Sequence, residues 1–136
     1  MAASVLVDAG FLVAFLSGRD RHYKWALAQS SSLPLPWKSC EAALSEAFHL
    51  LGKNGRSALA GLLQRSAVVC DFSLTDNRDP VLKLIQKYAD VPMRLADACL
   101  VRMTEVLSDP IVLTTDAHFR IYRRHSRHVI PCALPF

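Results

Sequence analysis

The sequence lacks a membrane-spanning run. The apolar stretch Phe11 to Leu16 is too short to cross a bilayer, and the first residues, MAASVLVD, carry no basic leader. The chain is therefore expected to be cytoplasmic, with no membrane partner. It also lacks any Cys-x-x-Cys pair: Cys40, Cys70, Cys99 and Cys132 are widely spaced, each in an apolar stretch. That spacing suits buried free thiols and speaks against a zinc site or a disulfide framework. His22 and His49 have no partner at ligand spacing. Internal repeats and low-complexity segments are absent, and charged residues, at 21% against 51% hydrophobic, are too few for a disordered chain. A length of 136 residues leaves no room for a second domain, so residues 1–136 are expected to form one.

What is present is a modest basic excess, with a formal net charge of +4, and one late cluster of cations at Arg120, Arg123, Arg124, His125, Arg127 and His128. The excess favours an anionic partner without naming it. The cluster has two readings. It is either a helix end whose cations satisfy terminal carbonyls, or a helix downstream of Asp116 that contacts the phosphates of an anionic partner. On the second reading Arg120, Arg123, Arg124 and Arg127 are the phosphate-binding candidates, for RNA if the partner is a nucleic acid of that kind.

Coarse periodicity places a buried strand at Ser4 to Val7, followed at once by Asp8 and an apolar helix-like stretch. Asp20 is expected to cap a helix over 21–30, and prolines 34 and 36 lead into an extended piece around Trp37. Positions 40, 43, 44, 47, 48 and 51 trace one helical face that Asn54 and Gly55 should break, with a further helix over 56–64. A second strand is expected over 67–72, a helix ending near Tyr88, an apolar helix over 95–107, a third strand over 111–113 and a fourth over 129–132. Strands separated by helices, each too apolar for one-sided exposure, predict an α/β fold with a parallel sheet covered on both faces.

In open parallel sheets, sites form at the carboxyl ends of strands. Asp8 and Asp116 both stand there. Asp97 is a third candidate, because its apolar neighbours in Leu95 to Val101 leave it partly buried; its charge then needs Arg94 or a metal ion as partner. Converging carboxylates repel each other unless a cation sits among them, and a hard ion with oxygen preference resolves that conflict better than zinc.

These residues resemble a PIN-domain nuclease, the family that includes the VapC-type toxins. The pieces are Leu6 to Gly10 (LVDAG), Leu44 to Phe48 (LSEAF), Leu95 to Val101 (LADACLV) and Leu113 to Phe119 (LTTDAHF), in that order across nearly the whole chain. The resemblance implies a three-layer α/β/α sandwich on a central parallel sheet of four or five strands. It implies an acidic pocket in which Asp8, Glu46, Asp97 and Asp116 hold Mg²⁺ or Mn²⁺ and cut RNA, with Thr114, shortly before the fourth acid, holding a water or steadying that loop. Glu46 enters on resemblance, since its wheel position opposes the apolar stripe and Glu41 lies nearer the edge. The toxin analogy implies a cognate antitoxin protein and a homodimer. Relatives often have acids where this chain has His118 and Arg94, which leaves one metal or two open. It also keeps in play a catalytically inactive PIN-like module that binds RNA or protein. A phosphoacceptor receiver domain fits less well, because Asp8 stands alone at its strand end and the late basic residues are arginines.

Overall fold

The computed structural model describes residues 3–136. The chain runs β1 (Ser4–Val7), α1 (Ala9–Leu16), α2 (Tyr23–Ser32), β2 (Trp37–Lys38), α3 (Glu41–Leu50), α4 (Lys53–Gln64), β3 (Val68–Val69), α5 (Arg78–Lys87), α6 (Leu95–Val106), β4 (Pro110–Leu113), β5 (Arg123–Arg124), β6 (His128–Val129) and β7 (Cys132–Ala133). Short 3-10 turns cover Thr75–Asn77 and Ala117–Arg120.

Five strands form one parallel sheet in the order β3-β2-β1-β4-β7. Alternation along β1 divides the core. Leu6 faces a cluster with Val81, Leu84, Leu100 and Met103 from α5 and α6, while Val5 and Val7 face Phe11, Leu12, Ala26 and Leu59 from α1, α2 and α4. Helix α3 feeds both clusters, through Ala43 to the first and Leu44 and Ala47 to the second. This is the expected three-layer α/β/α sandwich, with apolar strands because both sheet faces are covered.

From β1 the chain crosses first to β2 on one side and later to β4 on the other. The gap between the carboxyl ends of β1 and β4 is therefore a topological switch point, where such sheets open a crevice. Register fixes what meets there: Val7 pairs with Leu113, so Asp8 and Thr114 leave the sheet side by side.

Four local expectations need correction. Asn54 and Gly55 do not break α3, which ends where Leu51 turns extended; they lie in the first turn of α4, whose leading N–H groups need no helical partner. Gly55 is there for space, since a Cβ would lie 2.8 Å from Leu51 Cδ2. Asp20 does not cap a helix over 21–30: its carboxylate accepts from the His22 N–H at 2.8 Å, and α2 starts later. The single strand over 129–132 is two strands. β6 pairs antiparallel with β5, β7 joins the main sheet beside β4, and Pro131, which has no N–H to donate, separates them. The late basic cluster forms no helix. It occupies the Ala117–Arg120 turn and the β5–β6 hairpin, which reverses through His125 and Ser126 at φ 51° and 68°.

Candidate functional site

The switch-point crevice is a cavity of about 310 Å³ whose lining includes Asp8, Glu46, Asp97 and Asp116. Each acid arrives from a different element. Asp8 follows β1 and N-caps α1, its Oδ1 accepting from the Phe11 N–H at 2.8 Å. Asp116 caps the Ala117–Arg120 turn, accepting from the His118 N–H at 2.9 Å. Asp97 sits in the first turn of α6, where its carboxylate reaches back to the Arg94 N–H at 3.1 Å. Glu46 projects from α3 away from that helix's apolar stripe. Glu41, the other acid of α3, is exposed and does not line the cavity.

Thr114 ties two of the acids together. Its buried hydroxyl donates to Asp8 Oδ2 in a short hydrogen bond and accepts from the Asp116 N–H at 2.9 Å. Gly10 keeps the opposite wall thin: a Cβ there would lie 2.2 Å from Thr115 Oγ1, so any side chain at this position forces the Thr115 hydroxyl out of its place beside the start of α1. Tyr122 lies fully buried between Tyr88 and Phe119, with its hydroxyl 3.5 Å from Asp97 Oδ2.

Electrostatically the cavity is short of cations. Burial pushes the Asp8 carboxyl up to about 7; the Thr114 hydroxyl and Phe11 N–H pull it back, and the charges of Asp97 and Asp116 add to the rise. Burial also raises Asp97, against the Arg94 N–H, with Asp116 and Glu46 adding repulsion. Burial likewise raises the Tyr122 phenol, reinforced by Asp97.

Arg94 does not pair with Asp97. Its guanidinium Nη1 lies 2.7 Å from Glu46 Oε1, and His118 Nδ1 lies 3.1 Å from Asp116 Oδ1. The acids thus ring the cavity, each held by a different protein donor. Among the described residues no three carboxylate, imidazole or thiol groups stand together as a ready metal cage. The donor set nevertheless fits a hard divalent cation: it is all oxygen, and the burial that mainly raises Asp8 and Asp97, with the smaller mutual repulsion added to it, is what a bound cation offsets.

The four candidate RNA-binding arginines separate. Arg123 donates through Nη1 to the Arg120, Ile121 and Tyr122 carbonyls, and Arg124 through Nη2 to the Thr104 carbonyl, so both side chains are tied to the main chain. Arg120 donates to the Phe136 carbonyl from an exposed position, and Arg127 is exposed.

A family model for the PIN domain matches residues 5–124. The chain belongs to the PIN-domain family. Membership brings nuclease-type chemistry, which in PIN domains generally depends on divalent metal, and nucleic acid as the class of substrate. No curated protein matches the chain. Among the described residues no helix is long and apolar enough to cross a membrane.

Sequence reasoning passed over three features of this PIN-domain cavity: the Arg94–Glu46 pair, the close approach at Gly10 and the Tyr122 hydroxyl. Only Gly10 left a signal, a glycine two residues after a strand-end acid. The reach of an arginine across 48 positions leaves none.

Proposed function

We propose that the protein is a metal-dependent endoribonuclease, formed by residues 1–136 as one domain, in which Asp8, Glu46, Asp97 and Asp116 hold Mg²⁺ or Mn²⁺. The observation that carries this reading is the meeting of four acids from four elements at the β1–β4 switch point, around one cavity. When bound, such an ion supplies a water of lowered pKa and stabilises charge at the phosphodiester. The chain does the rest. Thr114 holds Asp8 and the Asp116 main chain in fixed relation, the Arg94 N–H orients Asp97, and the exposed Arg127 and Arg120, the latter by leaving the Phe136 carbonyl, meet backbone phosphates.

The decisive experiment is cleavage of a mixed RNA pool. Cutting should require Mg²⁺ or Mn²⁺, stop with chelator, and fall by about 100-fold or more in Asp97→Asn, the loss expected for a positioned catalytic carboxylate. Equal cutting by mutant and wild type would sink the proposal.

Within this reading the protein acts in the cytoplasm as the toxin of a toxin–antitoxin pair. It works as a homodimer, and a cognate antitoxin protein blocks the cavity. A small gene adjoining this one, whose product co-purifies and inhibits cleavage, is the corresponding test.

One observation favours a second reading, a PIN-like module that grips RNA without cutting it: Arg94 and His118 already engage Glu46 and Asp116. RNA binding that survives with no cleavage under any divalent ion would select it.

A further inference from the structure

Arg94 is anchored at one end and free at the other. Its main chain is fixed as the N-cap of α6 by the Asp97 carboxylate, while its side chain is 73% exposed and among the described residues makes one ion pair, Nη1 to Glu46 Oε1 at 2.7 Å. Arg94 thus lines the acidic cavity with its guanidinium against Glu46, on an exposed stem that can swing without disturbing the helix. An exposed single-contact ion pair of this kind is weak, and a guanidinium carries a fork of donors that matches two phosphate oxygens better than one carboxylate oxygen. A ring of acids otherwise repels the polyanion that the site has to admit. Among the cavity-lining residues Arg94 is the one permanently charged cation.

Resting on the nuclease reading above, we propose that Arg94 is a transferable counter-ion. It neutralises Glu46 while the cavity holds no substrate, then moves to a backbone phosphate of the incoming nucleic acid, and in leaving exposes the Glu46 carboxylate to the divalent ion. Substrate entry and completion of the ligand set are thereby linked through one side chain. The pairing of Glu46 with a metal competes with its pairing with Arg94, so metal affinity carries a fractional-population penalty that loss of Arg94 removes.

Two titrations test this. In the first, with chelator present, a fluorescent single-stranded phosphorothioate oligonucleotide is bound to wild type, Arg94→Ala, Glu46→Gln and the double variant. Glu46→Gln should bind about threefold tighter than wild type because it releases Arg94, and Arg94→Ala should bind about tenfold more weakly. The Glu46→Gln gain should vanish in the Arg94→Ala background. An equal gain in both backgrounds would overturn the transfer, since it would reflect only the lost negative charge. In the second, calorimetric Mn²⁺ titration without oligonucleotide should show Arg94→Ala binding about two- to fivefold tighter than wild type. Unchanged Mn²⁺ affinity would overturn the competition for Glu46. Absence of Mn²⁺ binding from wild type and Arg94→Ala alike would overturn the metal reading itself, while the oligonucleotide cycle still decides the phosphate transfer. Thermal melts matched to wild type confirm that the exposed substitutions leave the fold intact.

Discussion

Asp8 serves two purposes that pull its protonation in opposite directions. As N-cap it accepts from Phe11 and Thr114 as a carboxylate, yet burial beside Asp97 and Asp116 pushes its pKa from 3.8 up to about 7. The folded chain then holds this proton more tightly than the unfolded chain. Its contribution to stability is complete below about pH 3.8 and is lost as the pH rises through 7. In chelated protein, urea midpoints should fall between pH 5 and 8, and Asp8→Asn should flatten that slope. The effect is on the order of a few kcal/mol, at ~1.4 kcal/mol per pKa unit. Thr114 acts at the same scale. Thr114→Val leaves a buried carboxylate oxygen and a main-chain N–H without their partner and should cost about 1–3 kcal/mol, whereas Thr114→Ser keeps both bonds and should cost much less. Denaturant midpoints at fixed pH separate the two.

The elements set the spacing of the site, and the narrowest gap is that between the start of α1 and the loop after β4. Gly10→Ala forces Thr115 to move and should cost about 1–3 kcal/mol, with a loss of RNA cleavage that follows the displaced acids rather than the stability alone. The β5–β6 hairpin offers a contrast between neighbours. Arg124→Ala removes the guanidinium that bonds the Thr104 carbonyl and should lower the melting temperature, while Arg127→Ala should leave stability within about 0.5 kcal/mol and weaken RNA binding. At this scale the sequence was legible where periodicity and burial coincide. The strands β1 and β4, the stripe of α3 and the apolar α6 could all be read, and strand-end placement pointed to Asp8 and Asp116. Glu46 was not readable in that way. A side chain that faces a cavity instead of the core lies off the apolar stripe, and the stripe is all that periodicity reports. The hairpin was missed for a related reason: a run of cations has no apolar period, and what folds it is a set of contacts to the Thr104 carbonyl and the Glu105 carboxylate, distant in sequence.

The whole molecule sets an overall positive charge against a negative cavity. With a net charge of +4 the surface attracts a polyanion, and the acids decide what may enter. A cation that binds only the folded chain should stabilise all of it. Mn²⁺ at about 100 times its dissociation constant should contribute about 2.7 kcal/mol and raise the melting temperature, with the increase reduced in Asp8→Asn and abolished by chelator. Differential scanning fluorimetry across a Mn²⁺ series checks this directly.

The bond from Thr114 to Asp8 joins positions 106 residues apart, and it hangs on the pairing of β1 with β4. Asp8 is synthesised well before its partner. The centre of the sheet cannot close until β4 is made, and Asp116 follows β4. During its own synthesis the chain thus carries Asp8, Glu46 and Asp97 without the strand that gathers them. On the proposed nuclease reading, a growing chain stopped short of β4 should bind no Mn²⁺ and cut no RNA, so activity waits on the pairing of β4 with β1.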